Sequence, residues 1–202
     1  FDRRQLVGGV QTGGRRHLVA SEDGRRTLFE RVILPLVSRY AEEPAIVAWD
    51  LFNEPEWAVL GLGGRFPRAG SFAAFRSFFE EAVARAGSVV SQPLTVGLAS
   101  VRGLGLVQGL GFGFHQVHWY DGMESRYPLG RPVTDLGLDV PIVLGEFPTR
   151  GSSRSVEEIL DIAAAAGYAG AWPWSWGATD EATDPEAGAE RAAAWAASGT
   201  AG

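Results

Sequence analysis

Ala45-Ile46-Val47-Ala48-Trp49-Asp50-Leu51-Phe52-Asn53-Glu54-Pro55 is the stretch that sets the architecture of this chain. Residues 45–52 are almost continuously apolar and enclosed by Pro44 and Pro55, so the run is too short for a helix. It reads as a strand buried on both faces, the signature of a parallel sheet. The strand is followed at once by Asn53, Glu54 and Pro55. In parallel α/β folds chemistry sits at the carboxyl ends of strands, so Glu54 stands where an active site would be.

Further strands follow along the chain. Pro93–Ala99, Phe112–Tyr120, Pro141–Phe147 and Tyr168–Trp176 each read as a further strand. Helical periodicity falls between them. Residues 25–40 place Leu28, Val32, Leu36 and Tyr40 on one stripe, with Pro35 a potential kink. Ser71 opens a helix whose expected buried stripe is Phe72, Phe75, Phe79, Val83 and Ala86, with Phe78 beside it. Residues 100–110 allow about two helical turns. Residues 121–140 read as loop with at most one turn. Ser155 and Glu158 form an S-x-x-E capping box for a helix to Ala166, and Asp184-Pro185 opens an Ala-rich helix through Ala197. Residues 1–23 and 56–70 read as loops.

Helix, then strand–helix five times over, with strands starting about 31 residues apart, fits the unit of an α/β (β/α)8 TIM barrel. Such a barrel takes roughly 250 residues, and this chain has 202. The expectation is one partial catalytic domain over residues 1–202, with three units lacking before Phe1. A doubly wound open sheet is the alternative, because five strands suffice for one. The chain opens Phe1-Asp2-Arg3-Arg4 with no legible signal peptide, in keeping with a start inside a longer protein. Five strands cannot close a barrel, so these residues alone are expected to be inactive.

Composition narrows the function. The net charge is −6, and all 18 basic residues are Arg, with no basic stripe, which argues against nucleic acid as a partner. No run of eighteen apolar residues occurs, so no membrane-spanning helix is expected. Cysteine is absent, excluding disulfides, thiolate metal sites and thiol nucleophiles. A chain without Lys has no Walker A motif, and Gly103-x-Gly105-x-x-x-Gly109 does not match the dinucleotide fingerprint. Ser100 and Ser175 lack the nucleophile-elbow setting. No cofactor and no metal are implied, and nothing sets the oligomeric state or the compartment.

The strand-end residues point to sugar chemistry. Val143-Leu144-Gly145-Glu146-Phe147 puts a second Glu at the end of a second buried strand, and Gly145 allows a close approach to its backbone. Two such carboxylates are what a glycosidase needs. Desolvation at a strand end raises a carboxyl's pKa, which suits Glu54 to general acid work. His118 and Tyr120 lie two apart and share a strand face, whereas His115 faces the other way and reads as a core histidine. Trp172, Trp174 and Trp176 alternate along the last strand, and Trp57 follows Glu54 by three residues. Indole rings suit the C–H faces of sugars. Trp174, Trp176 and Trp57 are candidate platforms, while Trp172 reads as core. Asp50, inside its strand, reads as supporting the site, and Glu56 as a solvated loop residue.

Asn53-Glu54-Pro55, His118-Trp119-Tyr120, Gly145-Glu146-Phe147 and Trp174-Ser175 together resemble glycoside hydrolase family 5, within the clan of retaining (β/α)8 glycosidases that includes cellulases and mannanases. The resemblance covers roughly residues 24–176 and makes the five strands the fourth to eighth of the barrel. It implies hydrolysis of a β-linked glycan by double displacement, with Glu54 as acid/base and Glu146 as nucleophile. It also implies that Asn53 holds the sugar 2-hydroxyl, that Tyr120 hydrogen-bonds the nucleophile, that His118 lines the cleavage subsite and that Trp174 floors it. Secretion or cell-surface location is the family's habit. An Arg and a His that the family draws from earlier strands have no counterpart here. A carbohydrate-binding pseudoenzyme and an open-sheet nucleotide-binding protein are the competing readings.

Overall fold

The computed structural model describes residues 16–64, 69–177 and 180–198, and the backbone of Gln5–Val7 and Val10–Thr12. The chain divides into two compact units: Phe1–Leu98 with Arg102–Gly113, and Ala99–Val101 with Phe114–Gly202.

In the first unit β1 (Gln5–Val7) and β2 (Val10–Thr12) pair antiparallel, where the sequence reading expects loop. A Gly-Gly pair between two short runs is also a hairpin signal, and here that reading prevails. Two helices follow, α1 (His17–Ala20) and α2 (Glu22–Leu28). Ser21 caps the second by accepting from Gly24 N at 3.1 Å. The helical course continues as a π-helical turn, Phe29–Ile33, and then α3 (Leu34–Arg39). Pro35 has no N–H and forbids a normal turn beneath it, so the ladder widens and Leu34 N donates to Phe29 O. The wider turn rotates the faces. Phe29 and Val37 are buried, while Val32, Leu36 and Tyr40, expected inside, are exposed.

Strands β3 (Trp49–Asn53) and β4 (Leu94–Leu98) pair in parallel, joined through α4 (Phe72–Gly87). β4 is buried throughout, as expected. β3 is not. It starts later than the apolar run, is only half-buried, and Val47 ahead of it is 78% exposed. Among the described residues β3 has a strand partner on one side alone. Ser71 caps α4 as the sequence implies. Phe75, Phe78, Phe79 and Ala86 are buried, while Phe72 at the first turn is exposed. Phe52 points from β3 into this cluster and meets Phe75, Phe78 and Phe79 edge-on at 5.9–6.2 Å. Ring pairs of this kind contribute about 0.5–1.5 kcal/mol each beyond area burial.

In the second unit β5 (His115–His118) and β6 (Ile142–Glu146) pair in parallel. Residues 168–176, expected as a strand, run alongside β6 through bridges Leu144↔Ala171 and Pro148↔Trp174. Pro173 cannot donate to a ladder, which interrupts the strand. The capping box at Ser155 and Glu158 forms at the head of α5 (Val156–Ala166), and Gly167 ends it at φ 92°. α6 (Pro185–Ala197) is capped by Asp184. Leu144, Phe147, Trp119, Leu129, Ile159 and Leu160 form the apolar core. Trp172, expected in it, is 43% exposed and meets Phe114 edge-on instead. Residues 101–106 form a 3-10 helix rather than two α-turns, and residues 121–140 hold two short 3-10 turns.

The loop after β5 is tied down by charge. Glu124 accepts from Arg154 Nη2 at 2.7 Å, Trp119 Nε1 at 3.1 Å and Leu129 N at 3.1 Å. Arg154 also lies over the Trp119 ring at 5.1 Å. Burial pushes the Glu124 carboxyl up, but the Arg154, Leu129 and Trp119 donors outweigh it and hold it below its ordinary value. A carboxyl held low in the folded chain stabilises it above the unfolded-state pKa, and that stability is lost as pH falls through the folded value. The melting temperature is therefore expected to drop below about pH 4, and Glu124→Gln to flatten that drop. The side chain is 37% exposed, so screening keeps the effect small. Melting curves from pH 3 to 7 that superimpose in slope for both proteins would contradict the assignment.

Candidate active site

Both candidate carboxylates stand at the carboxyl ends of their strands, and both strands change register just before them. On β3 the pairing runs Asp50↔Thr95 and then Asn53↔Gly97, so one extra residue is inserted. Asp50 Oδ1 stabilises that bulge by accepting from Gly97 N at 3.1 Å and Phe52 N at 3.2 Å. On β6 the pairing runs Val117↔Leu144 and then His118↔Glu146, which skips Gly145. A Cβ at Gly145 would collide with the Gln116 side chain, so the bulge needs glycine. Bulges re-aim side chains, and here each re-aims a glutamate.

Beyond the first bulge, Glu54 N donates to Gly97 O at 2.6 Å, and Glu54 turns to φ 47°, ψ 57°. Glu54 is the single non-glycine residue at positive φ among those described. A residue before proline is also steered away from such angles, so the conformation is strained by roughly 1–3 kcal/mol. Strain of this kind collects at functional sites. The chain then enters a 3-10 turn, Pro55–Ala58. Asn53 is exposed at the strand end. Trp57, 66% exposed, donates its indole N–H to Glu54 Oε2 at 2.6 Å. Glu56, expected to be solvated, is 5% exposed, and its carboxylate occupies the place a Gly103 Cβ would take. The tight turn after Pro55 folds it inward.

In the second unit three expected residues converge. Tyr120 donates its hydroxyl to Glu146 Oε2 at 3.0 Å, and His118 Nδ1 lies 3.2 Å from the same oxygen. The His118 side chain is almost fully buried and that of Glu146 13% exposed. Two partners on one oxygen fix the carboxylate's rotation. His115 faces away, as its spacing implies, and is buried with Nε2 2.7 Å from Asp139 Oδ1. Trp174 is half-buried and donates to Asp180 Oδ2 at 3.2 Å. Hydrogen bonds from Thr183 and Trp174 hold the Asp180 carboxyl below its ordinary value. The Trp174–Ser175 peptide bond is cis. Trp176 is 87% exposed.

Sequence reasoning missed the bulge behind Asp50, the burial of Glu56, the Gln116–Gly145 contact and the Asp180 brace. An acidic residue inside an apolar strand and a glycine before a strand-end Glu were the available signals.

No family model matches the chain. Mannan endo-1,4-β-mannosidase of Mytilus edulis is 25% identical, over 74% of this chain and 52% of that protein. The endo-1,4-β-mannanase of Eisenia fetida has a similar structure, with TM-score 0.74 and 25% identity over 89% of this chain and 61% of that one. Endo-glycoceramidase II from Rhodococcus sp. shares the fold alone, with TM-score 0.52 and 17% identity over 88% of this chain and 48% of that one. The chain spans about half the length of the curated relative it matches. An open nucleotide-binding sheet is thereby set aside, and the fold is part of a (β/α)8 barrel. In sequence and in fold alike, this chain is similar to the endo-1,4-β-mannanases over most of its length.

Proposed function

We propose that the protein carrying this chain hydrolyses internal β-1,4 linkages of a mannan or a related β-glycan with retention of configuration, in the manner of glycoside hydrolase family 5. The observation that carries this reading is the arrangement at the end of β6, where Tyr120 and His118 both engage Glu146 Oε2. A carboxylate held this way is a poised nucleophile. Glu54, on its strained turn at the end of β3, is the acid/base.

In the first step a Glu146 oxygen attacks the anomeric carbon. The bond to the leaving oxygen breaks, and Glu54 protonates that oxygen as it departs. In the second step Glu54, now ionised, takes a proton from water, which displaces Glu146 from the sugar. Asn53 lies at the same strand end as Glu54 and serves the sugar 2-hydroxyl. His118 lines the cleavage subsite, and Trp174, braced by Asp180, gives it an apolar floor. Trp176 and Trp57 are exposed rings, and their role in this reading is to pack against further sugar units.

The test is stereochemical. Proton NMR of early products from mannooligosaccharides is expected to show the β-anomer first, before mutarotation. An α-anomer would exclude the covalent route. Binding without turnover would identify a carbohydrate-binding pseudoenzyme instead.

A further inference from the structure

We propose that Trp57 is a positioning residue whose indole N–H decides which oxygen of Glu54 carries the proton. This rests on the reading of Glu54 as the acid/base. The indole donates to Oε2 at 2.6 Å. In a neutral carboxyl the carbonyl oxygen is the better acceptor, so a donor fixed on Oε2 leaves the proton on Oε1. Oε1 is then the oxygen that faces the leaving group. As the glycosidic bond breaks, its electron pair passes to the leaving oxygen, which takes the Oε1 proton. The O–H electron pair stays on Glu54, and the indole N–H stabilises the resulting carboxylate with a charge-assisted bond.

The indole is held for this task although it is 66% exposed. Backbone geometry sets its direction, because Trp57 N donates to Glu54 O at 3.3 Å across the tight turn. The following loop folds back under the ring. A Cβ at Gly63 would come within 3.1 Å of Trp57 Cε3 and 3.0 Å of the Glu56 carbonyl oxygen, so only glycine admits the ring there without displacement. Gly64 N donates to Glu56 O at 3.1 Å and to Val59 O at 2.9 Å, which closes the fold-back. Arg102 then clasps the loop from outside, donating to Leu62 O and to Gly61 O, each at 3.2 Å. A ring serving only as a sugar platform needs none of this aim at Glu54.

Trp57→Phe keeps an aromatic face and removes the donor. In the mannan-hydrolysing protein it is expected to lower kcat on unactivated mannooligosaccharides by about 10- to 100-fold, with KM within about twofold. An aryl mannoside with a good leaving group should lose less than about threefold. Wild-type kcat on both substrates in Trp57→Phe, with a raised KM in Trp57→Ala, would overturn the proposal and leave a sugar platform. A second measurement needs neither turnover nor a stable Trp57 variant. The Trp57 indole N–H resonance is expected to move upfield in Glu54→Ala, and a resonance that does not move overturns the contact. Glu54→Gln with equal losses on both substrate classes would sink the acid/base reading itself, while the resonance would still report the contact.

Discussion

Glu146→Ala is expected to lose nearly all turnover, by a factor on the order of 10⁴ to 10⁶, while the protein still folds. The side chain is partly solvent-accessible, and its removal leaves Tyr120 and His118 in place. The loss is chemical, because no covalent intermediate can form without the carboxylate. Added azide should restore part of the rate, since the deleted side chain leaves room for a small anion on the face from which Glu146 attacked. The product should then be the glycosyl azide of inverted, α configuration, formed in one displacement. Full activity in Glu146→Ala would end the assignment, and loss without rescue would shift weight towards a structural role.

Glu54→Gln is expected to divide substrates by leaving group. Natural glycans depart as poor alkoxides and need the proton, so their turnover should fall by about 10²- to 10⁴-fold. An activated aryl glycoside departs unaided, and its first step should be almost untouched. Product release through water attack still needs a base, so the glycosyl-enzyme should accumulate and appear as a burst. An equal loss on both substrates would make Glu54 a structural residue of the turn.

Much of this molecule was legible in its residues because local signals and tertiary context agree. Ser71, the Ser155–Glu158 box and Asp184-Pro185 announce helix starts that the structure keeps. β4 is buried throughout, as its apolar run implies, whereas β5 is buried although three of its four residues are polar. The two-residue spacing puts His118 and Tyr120 on one strand face, and in the structure both side chains meet Glu146 Oε2. Legibility ended where burial depends on neighbours rather than on pattern. Val32, Leu36 and Val47 are apolar yet exposed, and Trp172 with them. The π-turn over Phe29–Ile33 shifts a helical stripe by an amount no fixed period anticipates. Glu56 looks like any loop acid in the sequence, and only the turn after Glu54 carries it inside.

At each bulge two residues stand opposite one, so the extra residue on β3 and Gly145 on β6 let the glutamate that follows keep its place in the ladder while the strand bends beneath it. Removing Gly145 would restore the unbroken pairing of Val117 with Leu144 and His118 with Glu146, and with it the straight course of an ordinary strand. Every other residue would survive such a change and the motif would still read as Glu before Phe, yet the bend that aims the carboxylate at Tyr120 and His118 would be gone. The chemistry at these strand ends is therefore encoded in a count as much as in an identity. Single-residue insertions and deletions upstream of Glu54 or Glu146 should be far more damaging than most substitutions at the same positions.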